Sequence, residues 1–206
     1  ISNWNVKSSN SFRYMFFQSG LTSIDMSNWV FDEEKTATIN FSGMFGDAKN
    51  LVEIMGLERF PMHRGNTLQQ TFYNCKALTE LNIGNWDVSN ITNMQQAFGG
   101  CTSLATLDLS NWNTSKVTTI NSCFSGCTSL TKLNLSGWHI KALTNTNYAF
   151  SSCSKLQEIN LSGWDSSSIT SAADIFSSDT SLNSIVLNKC SINTINFFIN
   201  VLPARQ

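Results

Sequence analysis

Cysteine is the residue whose spacing in this sequence first invites a chemical interpretation. Cys123 lies four residues before one member of a column that recurs at a constant interval of 26 in the numbering: Cys75, Cys101, Cys127 and Cys153. A zinc site needs four ligands that converge on one ion, whereas equivalent positions of a repeat point in parallel. Parallel Cβ vectors also suit disulfides poorly. Since buried free cysteine behaves as a small apolar side chain, we predict a structural column that holds no metal.

The two histidines do not complete a catalytic pattern. His63 and His139 occupy different repeat positions, so a Ser-His-Asp or Cys-His arrangement would require partners from distant parts of the chain. The sequence also lacks paired carboxylates, a Gly-rich phosphate loop and an H-E-x-x-H motif. We therefore predict that the chain is not an enzyme and binds no cofactor.

Composition argues against two classes of partner. Charged residues make up 13% of the chain and the net charge is −1, which leaves no electrostatic footprint for nucleic acid. No apolar run approaches the roughly 18 residues that a membrane-spanning helix needs, so we predict no membrane insertion. The hydrophobic fraction of 41% is sufficient for a packed core.

Any functional side chain must be positioned by a structural repeat, because the sequence has a constant period. Two aromatic columns share the interval of 26 with the cysteines: Trp86, Trp112, Trp138 and Trp164, with Phe72, Phe98, Phe124, Phe150 and Phe176. Phe60 lies one period before the first of these tryptophans and Cys190 lies one period after the last, so both take the Trp position. We predict that the columns stack as ladders inside one repeat domain, residues 1–206, of about seven to eight turns.

Each turn contains one segment with strand patterning and one with helix patterning. Leu107-Asp108-Leu109 alternates apolar and polar residues, and so short a strand must pair in parallel with its equivalent in the next turn. Residues 91–98 place apolar side chains at helical spacing, with Thr92 and Gln95 resembling a capping box and glycines following. The prediction is an α/β repeat solenoid of the leucine-rich-repeat type, with one short parallel strand and one short helix or 3₁₀ segment per turn.

These motifs resemble the BspA-like class of leucine-rich repeats in bacterial surface proteins. The resemblance rests on the segment from Asn93-Met94 to Phe98-Gly99-Gly100-Cys101 and on residues 107–117, LDLSNWNTSKV. It covers nearly the whole chain, apart from residues 30–68 and the tail after Cys190. The resemblance implies an extracellular or cell-surface location, and a role in adhesion or in binding host proteins.

The outward positions of the predicted strands are the first candidate binding surface. The central column begins with Asp25 and Gly56, and these columns should line the concave sheet face that solenoids use for binding. The candidates are Glu80, Asn82, Thr106, Asp108, Lys132, Asn134, Glu158 and Asn160. The face is polar and lacks aromatic anchors, so the simpler interpretation, a solvated surface, stays open.

An irregular turn at about residues 30–68 is the second candidate. The interval from Trp29 to Phe60 is five residues longer than the repeat period. Insertions in repeats form loops that often lie at binding faces, and this turn carries Arg59, His63 and Arg64. The alternative is repeat decay without function.

The two ends of the chain raise the question of assembly. Ile1 aligns with Leu109 in the middle of a turn, and an uncapped edge permits self-association. A partial terminal turn at 190–206, in which the helical part stops at Pro203, is expected to act as a short cap. The sequence therefore favours a surface-exposed module that binds an extracellular protein or glycan. A structural spacer or self-assembling scaffold is the alternative.

Overall fold

The computed structural model describes residues 1–202, in which successive turns of the chain stack with parallel pairing. The strands are β1 (Ser23–Asp25), β2 (Glu53–Met55), β3 (Lys132–Asn134), β4 (Glu158–Asn160) and β5 (Ser184–Val186). β1 pairs with β2, and β3, β4 and β5 form a second sheet in that order. Within the second sheet, Leu133 faces Ile159 and Ile159 faces Ile185. The parallel strands predicted from the L-x-L pattern are therefore confirmed in these turns.

The prediction of one strand in every turn is wrong for the turns between the two sheets. Residues 80–82 form no strand, and Asp108 makes a single bridge, to Asn134. Gly56 adopts a left-handed φ of 89° directly after β2. A Cβ on Gly56 would lie 2.6 Å from the main chain of Met26. Gly56 is therefore a position where the close approach to the preceding turn leaves no room for a side chain.

The pairing of β2 also corrects the predicted register by one residue. Asp25 pairs with Met55 rather than with Gly56. The extra residues of the irregular turn displace the column at this point, which a strictly periodic alignment could not show.

The predicted helix or 3₁₀ segment in every turn is wrong. The described residues contain three 3₁₀ helices, Leu57–Arg59, Met62–Arg64 and Ser166–Ser168, and one α-helix, α1 (Ile192–Val201). The backbone of residues 91–98 instead bonds to the next turn, where the amides of Met94 and Phe98 donate to the carbonyls of Thr119 and Cys123. Amides between them donate locally, as Ala97 does to the carbonyl of Met94. Alternate amides thus join neighbouring turns.

Left-handed residues explain why this segment has helical spacing without a helix. Gln96 has a φ of 54° and Gly100 a φ of 75°, so the chain reverses its curvature every four residues, close to the 3.6-residue helical period. The predicted capping box is also absent. The Thr92 hydroxyl donates to the carbonyl of Asn66 in the preceding turn, and the Gln95 amide donates to Asn93 Oδ1.

Two aromatic stacks fill the core. Ring centroids of successive phenylalanines from Phe72 to Phe176 lie 5.4 to 5.7 Å apart, and those of successive tryptophans from Trp86 to Trp164 lie 6.3 to 6.4 Å apart. The indole N–H of Trp112 donates to the carbonyl of Ile83 at 3.0 Å, and the other three tryptophans of the column make the equivalent bond. The core therefore links turns both by stacking and by side-chain hydrogen bonds.

Two non-tryptophan residues continue the Trp column as predicted. Phe60 stacks between Trp29 and Trp86, with centroid separations of 6.1 and 6.4 Å. The thiol of Cys190 donates to the carbonyl of Leu161, 29 residues earlier, which is the separation of the tryptophan bonds. The structure confirms both alignments.

The last described element is α1, which packs on the final turn. The Ser191 hydroxyl caps it by accepting from the amide of Thr194 at 3.2 Å. Phe198 is buried and its ring centroid lies 6.1 Å from that of Trp164. A helix therefore covers this end of the core, while Pro203, the predicted stop, lies outside the described residues.

Candidate functional site

The eight predicted strand-face positions lie at the surface. Six are exposed, and Glu158 and Asn160 are half-buried between neighbouring strands. β3 to β5 hold the rows in register, with Lys132 beside Glu158 and Asn134 beside Asn160. Glu80, Asn82, Thr106 and Asp108 lie outside the named strands, although Asp108 forms a bridge to Asn134, so the sheet orders only part of the predicted surface.

The central column of this face also has a structural role. The Oδ1 atom of Asp108 accepts from both the amide and the hydroxyl of Ser110, and Asn134 makes the same pair of bonds with Ser136. These bonds close the turn after the strand. The bond from the Ser110 amide, followed by that from its hydroxyl, lowers the pKa of Asp108, which keeps this carboxylate negatively charged. The second side-chain polar atom of each residue is left to contact a ligand.

The structure separates the three candidates of the irregular turn. His63 is exposed, and Arg59 is exposed with a guanidinium that donates to the carbonyl of Ser27. Arg64 is buried, at 7% exposure. Its Nε donates to the carbonyl of Ala37 at 3.0 Å and its Nη1 to that of Asp32 at 3.1 Å. Arg64 therefore fastens the inserted loop, a role that the sequence reasoning, which placed it with exposed loop residues, missed.

The cysteine column lies inside the core and its thiols are donors. Cys101 Sγ donates to the carbonyl of Phe72 at 3.1 Å, and the three other members of the column make equivalent bonds to the preceding turn. Burial raises the pKa of Cys75 to about 12 and that of Cys101 well above the ordinary range. All six cysteines of the chain are free. At neutral pH these buried thiols are protonated and shielded from oxidants.

Asp179 is a notable residue that sequence reasoning missed. It lies 26 residues after Cys153, in the cysteine column, and is buried at 4% exposure. Its Oδ1 accepts from the amide of Cys153 at 2.7 Å, but Oδ2 has no partner among residues 1–202. Burial raises the pKa of this carboxyl to about 7. A carboxylate in a column of thiols was visible in the sequence and could have been found.

Neither a metal cluster nor a spanning helix is present in the described part of the chain. Among residues 1–202, no three His, Cys, Asp or Glu side chains lie close enough to hold one metal ion. No helix there has the length and apolar character to cross a bilayer.

Comparisons with known proteins define the family. The family model described as "Mycoplasma protein of unknown function, DUF285" matches residues 1–57 and 66–189, and the chain belongs to this family. Two segments lie outside the match, residues 58–65 and 190–206. The first lies in the irregular turn and includes Arg59, His63 and Arg64. No curated protein matches the chain.

A solved leucine-rich repeat protein from Bacteroides ovatus is similar to this chain. The two are 15% identical, with a TM-score of 0.37, over 85% of this chain and 58% of that protein. This chain therefore spans less than two thirds of the length of that protein.

Proposed function

We propose that this chain is a non-enzymatic binding module that recognises an extracellular protein or glycan through the strand-face rows. The observation that carries the proposal is the regular presentation of exposed polar side chains, such as Asp108, Lys132 and Asn134, by successive turns of one interlocked core. A rigid support reduces the ordering cost of binding. Repetition of weak contacts along the rows raises the avidity for a repetitive ligand.

The location and the family role belong to the same proposal. The sequence resemblance to BspA-like repeats favours a secreted or cell-surface protein that acts in adhesion. The nearly neutral net charge, −1, favours a polar ligand over nucleic acid. Charged residues of both signs on the rows suit a ligand bound by many polar contacts rather than one deep anchor.

The test is a screen of the immobilised chain against matrix proteins, mucins, glycans and bacterial cells. A row variant combines Glu80→Lys, Lys132→Glu and Glu158→Lys, and retains Asp108 because its Oδ1 closes a turn. A control with the same change of net charge reverses three exposed residues away from the strand positions, Glu34→Lys, Glu58→Lys and Lys76→Glu. A ligand that binds the native chain and the control but not the row variant supports the proposal. Equal binding to all three proteins contradicts it.

A further inference from the structure

Negative charge is concentrated in one part of the strand face. Each of four successive turns places one carboxylate at an outward strand position: Asp25, Glu53, Glu80 and Asp108. Three of these side chains are exposed and Asp25 is half-buried. No lysine or arginine occupies an outward strand position in the same turns. Since the chain as a whole has a net charge of −1, the rest of the molecule carries an excess of positive charge.

The following two turns are different because their charges balance. Lys132 on β3 lies beside Glu158 on β4, and opposite charges at paired positions of neighbouring strands attract each other. The uncompensated negative charge is therefore confined to the turns from β1 to residue 108. We call this part of the face the acidic strip, and we define it by its four carboxylates and by Met55, which pairs with Asp25.

Hydrogen bonds hold two of these carboxylates in the charged form. The Oδ1 atom of Asp25 accepts from the hydroxyl of Ser27 at 2.6 Å and from its amide at 2.9 Å. These two bonds lower the pKa of Asp25, and bonds from the amide and then the hydroxyl of Ser110 lower that of Asp108. Arg59 is a cation at the border of the strip, and its guanidinium donates to the carbonyl of Ser27.

Apolar surface lies among the carboxylates. Met55 is 39% exposed, and Val52, one residue before Glu53, is 46% exposed. Methionine is enriched in protein interfaces. Lysine and arginine side chains combine an aliphatic stem with a charged head, so one such side chain can contact the apolar surface and a carboxylate together.

The dimensions of the strip suit an extended chain better than a single ion. Its carboxylates lie in different turns, and among residues 1–202 no three His, Cys, Asp or Glu side chains are close enough to hold one metal ion. At about 4.8 Å per turn, the four turns span about 14 Å, which about five extended residues of a peptide would cover.

We propose that the acidic strip binds an extended, basic segment of a partner protein, whose lysine or arginine heads pair with the carboxylates of successive turns and whose side-chain stems cover Met55. The inference rests on the proposed binding function and deepens it, because it selects a cationic polypeptide over a neutral glycan as the ligand of this part of the face. Complementary charge of this kind raises the rate of association and excludes partners of the wrong sign.

The experiment measures binding of a labelled peptide of alternating lysine and serine to the chain by fluorescence anisotropy. Matched peptides replace every lysine with glutamine or with glutamate. We expect saturable binding of the lysyl peptide alone, and we expect added salt to weaken it, because exposed charges are screened. Absence of saturable binding of the lysyl peptide overturns the proposal. Equal binding of the glutaminyl peptide also overturns it, because charge would then not select the ligand.

A double variant locates the binding on the strip. Glu53→Gln combined with Glu80→Gln is expected to weaken binding of the lysyl peptide about fivefold, and it leaves the two aspartates that close turns unchanged. The control, Glu33→Gln with Glu34→Gln, makes the same change of net charge at exposed positions of the inserted loop and is expected to keep the native affinity. Equal losses in the two variants contradict the strip as the site.

Failure of this inference can be told apart from failure of the proposed function. A glycan or protein that binds the native chain but not the row variant, together with no binding of the lysyl peptide, overturns the inference and leaves the proposed function supported.

Discussion

The regular turns and the irregular turn fill the same column of the core but make different contacts there. In a regular turn the indole of Trp112 both stacks on its neighbours and donates to the carbonyl of Ile83. Phe60 keeps the stack but has no N–H to donate. In its place, Phe31 packs edge-on against Phe60 with centroids 5.3 Å apart, and Arg64 fastens the inserted loop. The core therefore tolerates an insertion when the aromatic stacking continues and when a side chain such as Arg64 donates hydrogen bonds to the carbonyls of the inserted loop.

The largest expected effect is the loss of one member of the regular stack. Trp112→Ala removes a fully buried indole, its stacking on Trp86 and Trp138, and the bond to Ile83. We expect a decrease of about 3–5 kcal/mol in the free energy of unfolding, measured by urea denaturation. Trp112→Phe keeps the ring and loses the N–H, as Phe60 does, so its cost should be smaller. Equal costs for the two variants would contradict the separate roles of stacking and hydrogen bonding.

Arg64 provides the corresponding test in the irregular turn. Arg64→Met removes both bonds to the inserted loop, at Ala37 and Asp32, while it keeps most of the side-chain volume. We expect a loss of about 1–3 kcal/mol and faster amide exchange in the residues of the loop. Arg59→Met, whose guanidinium is exposed, is the control and should cost less. Unchanged exchange in residues 32–37 would show that Arg64 does not hold the loop.

Asp179 replaces cysteine at the cysteine-column position of the last turn, and the pH dependence of stability tests the effect of this buried carboxyl. Its pKa is raised to about 7 by burial, so the folded state holds a proton that the unfolded state releases at lower pH. Its contribution to the free energy of unfolding is therefore present below pH 4 and is lost as the pH rises to about 7. Asp179→Asn removes this loss, and we expect it to raise stability at pH 8 by about 1–3 kcal/mol and to have little effect at pH 4.

Asp87 is a control of opposite sign for this pH dependence. Hydrogen bonds that the side chain of Ser89 and then its backbone amide donate to the carboxylate of Asp87 lower the pKa of Asp87. The stabilising contribution of Asp87 is therefore present above the unfolded-state pKa and is lost as the pH falls through the lowered folded-state pKa. Asp87→Asn should therefore not raise stability at pH 8. Thermal unfolding curves at pH 4 and pH 8 measure both variants. A pH-independent effect of Asp179→Asn would contradict the assignment of a buried, titrating carboxyl.

The smallest expected effect concerns left-handed residues within one column. Gly100 and Gly126 have φ values of 75° and 73°, while Ser152 occupies the equivalent position with a φ of 63°. A side chain in this region costs roughly 1 kcal/mol. Ser152→Gly should therefore raise the melting temperature slightly. Ser154→Gly, at an exposed position without a left-handed φ, should lower it or leave it unchanged, and the reverse order would contradict this explanation.

Sequence reasoning predicted the columns of the core and failed on the backbone that connects them. Stacked side chains leave a strictly periodic signal, so the positions of Phe60 and Cys190 could be assigned before the structure was known. Helical spacing in residues 91–98 misled because left-handed residues such as Gln96 give a four-residue period that resembles a helix. The candidate rows could be placed at the surface, whereas the burial of Arg64 depends on an inserted loop whose path carries no periodic signal.

Amide hydrogen exchange tests the central contrast between interlocked regular turns and an inserted loop held chiefly by one side chain. We predict strong protection of inter-turn donors such as Met94, Phe98, Ile120 and Phe124, which bond to carbonyls of the next turn. We also predict fast exchange in residues 32–37. Similar protection of the loop and the regular turns would contradict this contrast, because the irregular turn would then be as rigid as the repeats around it.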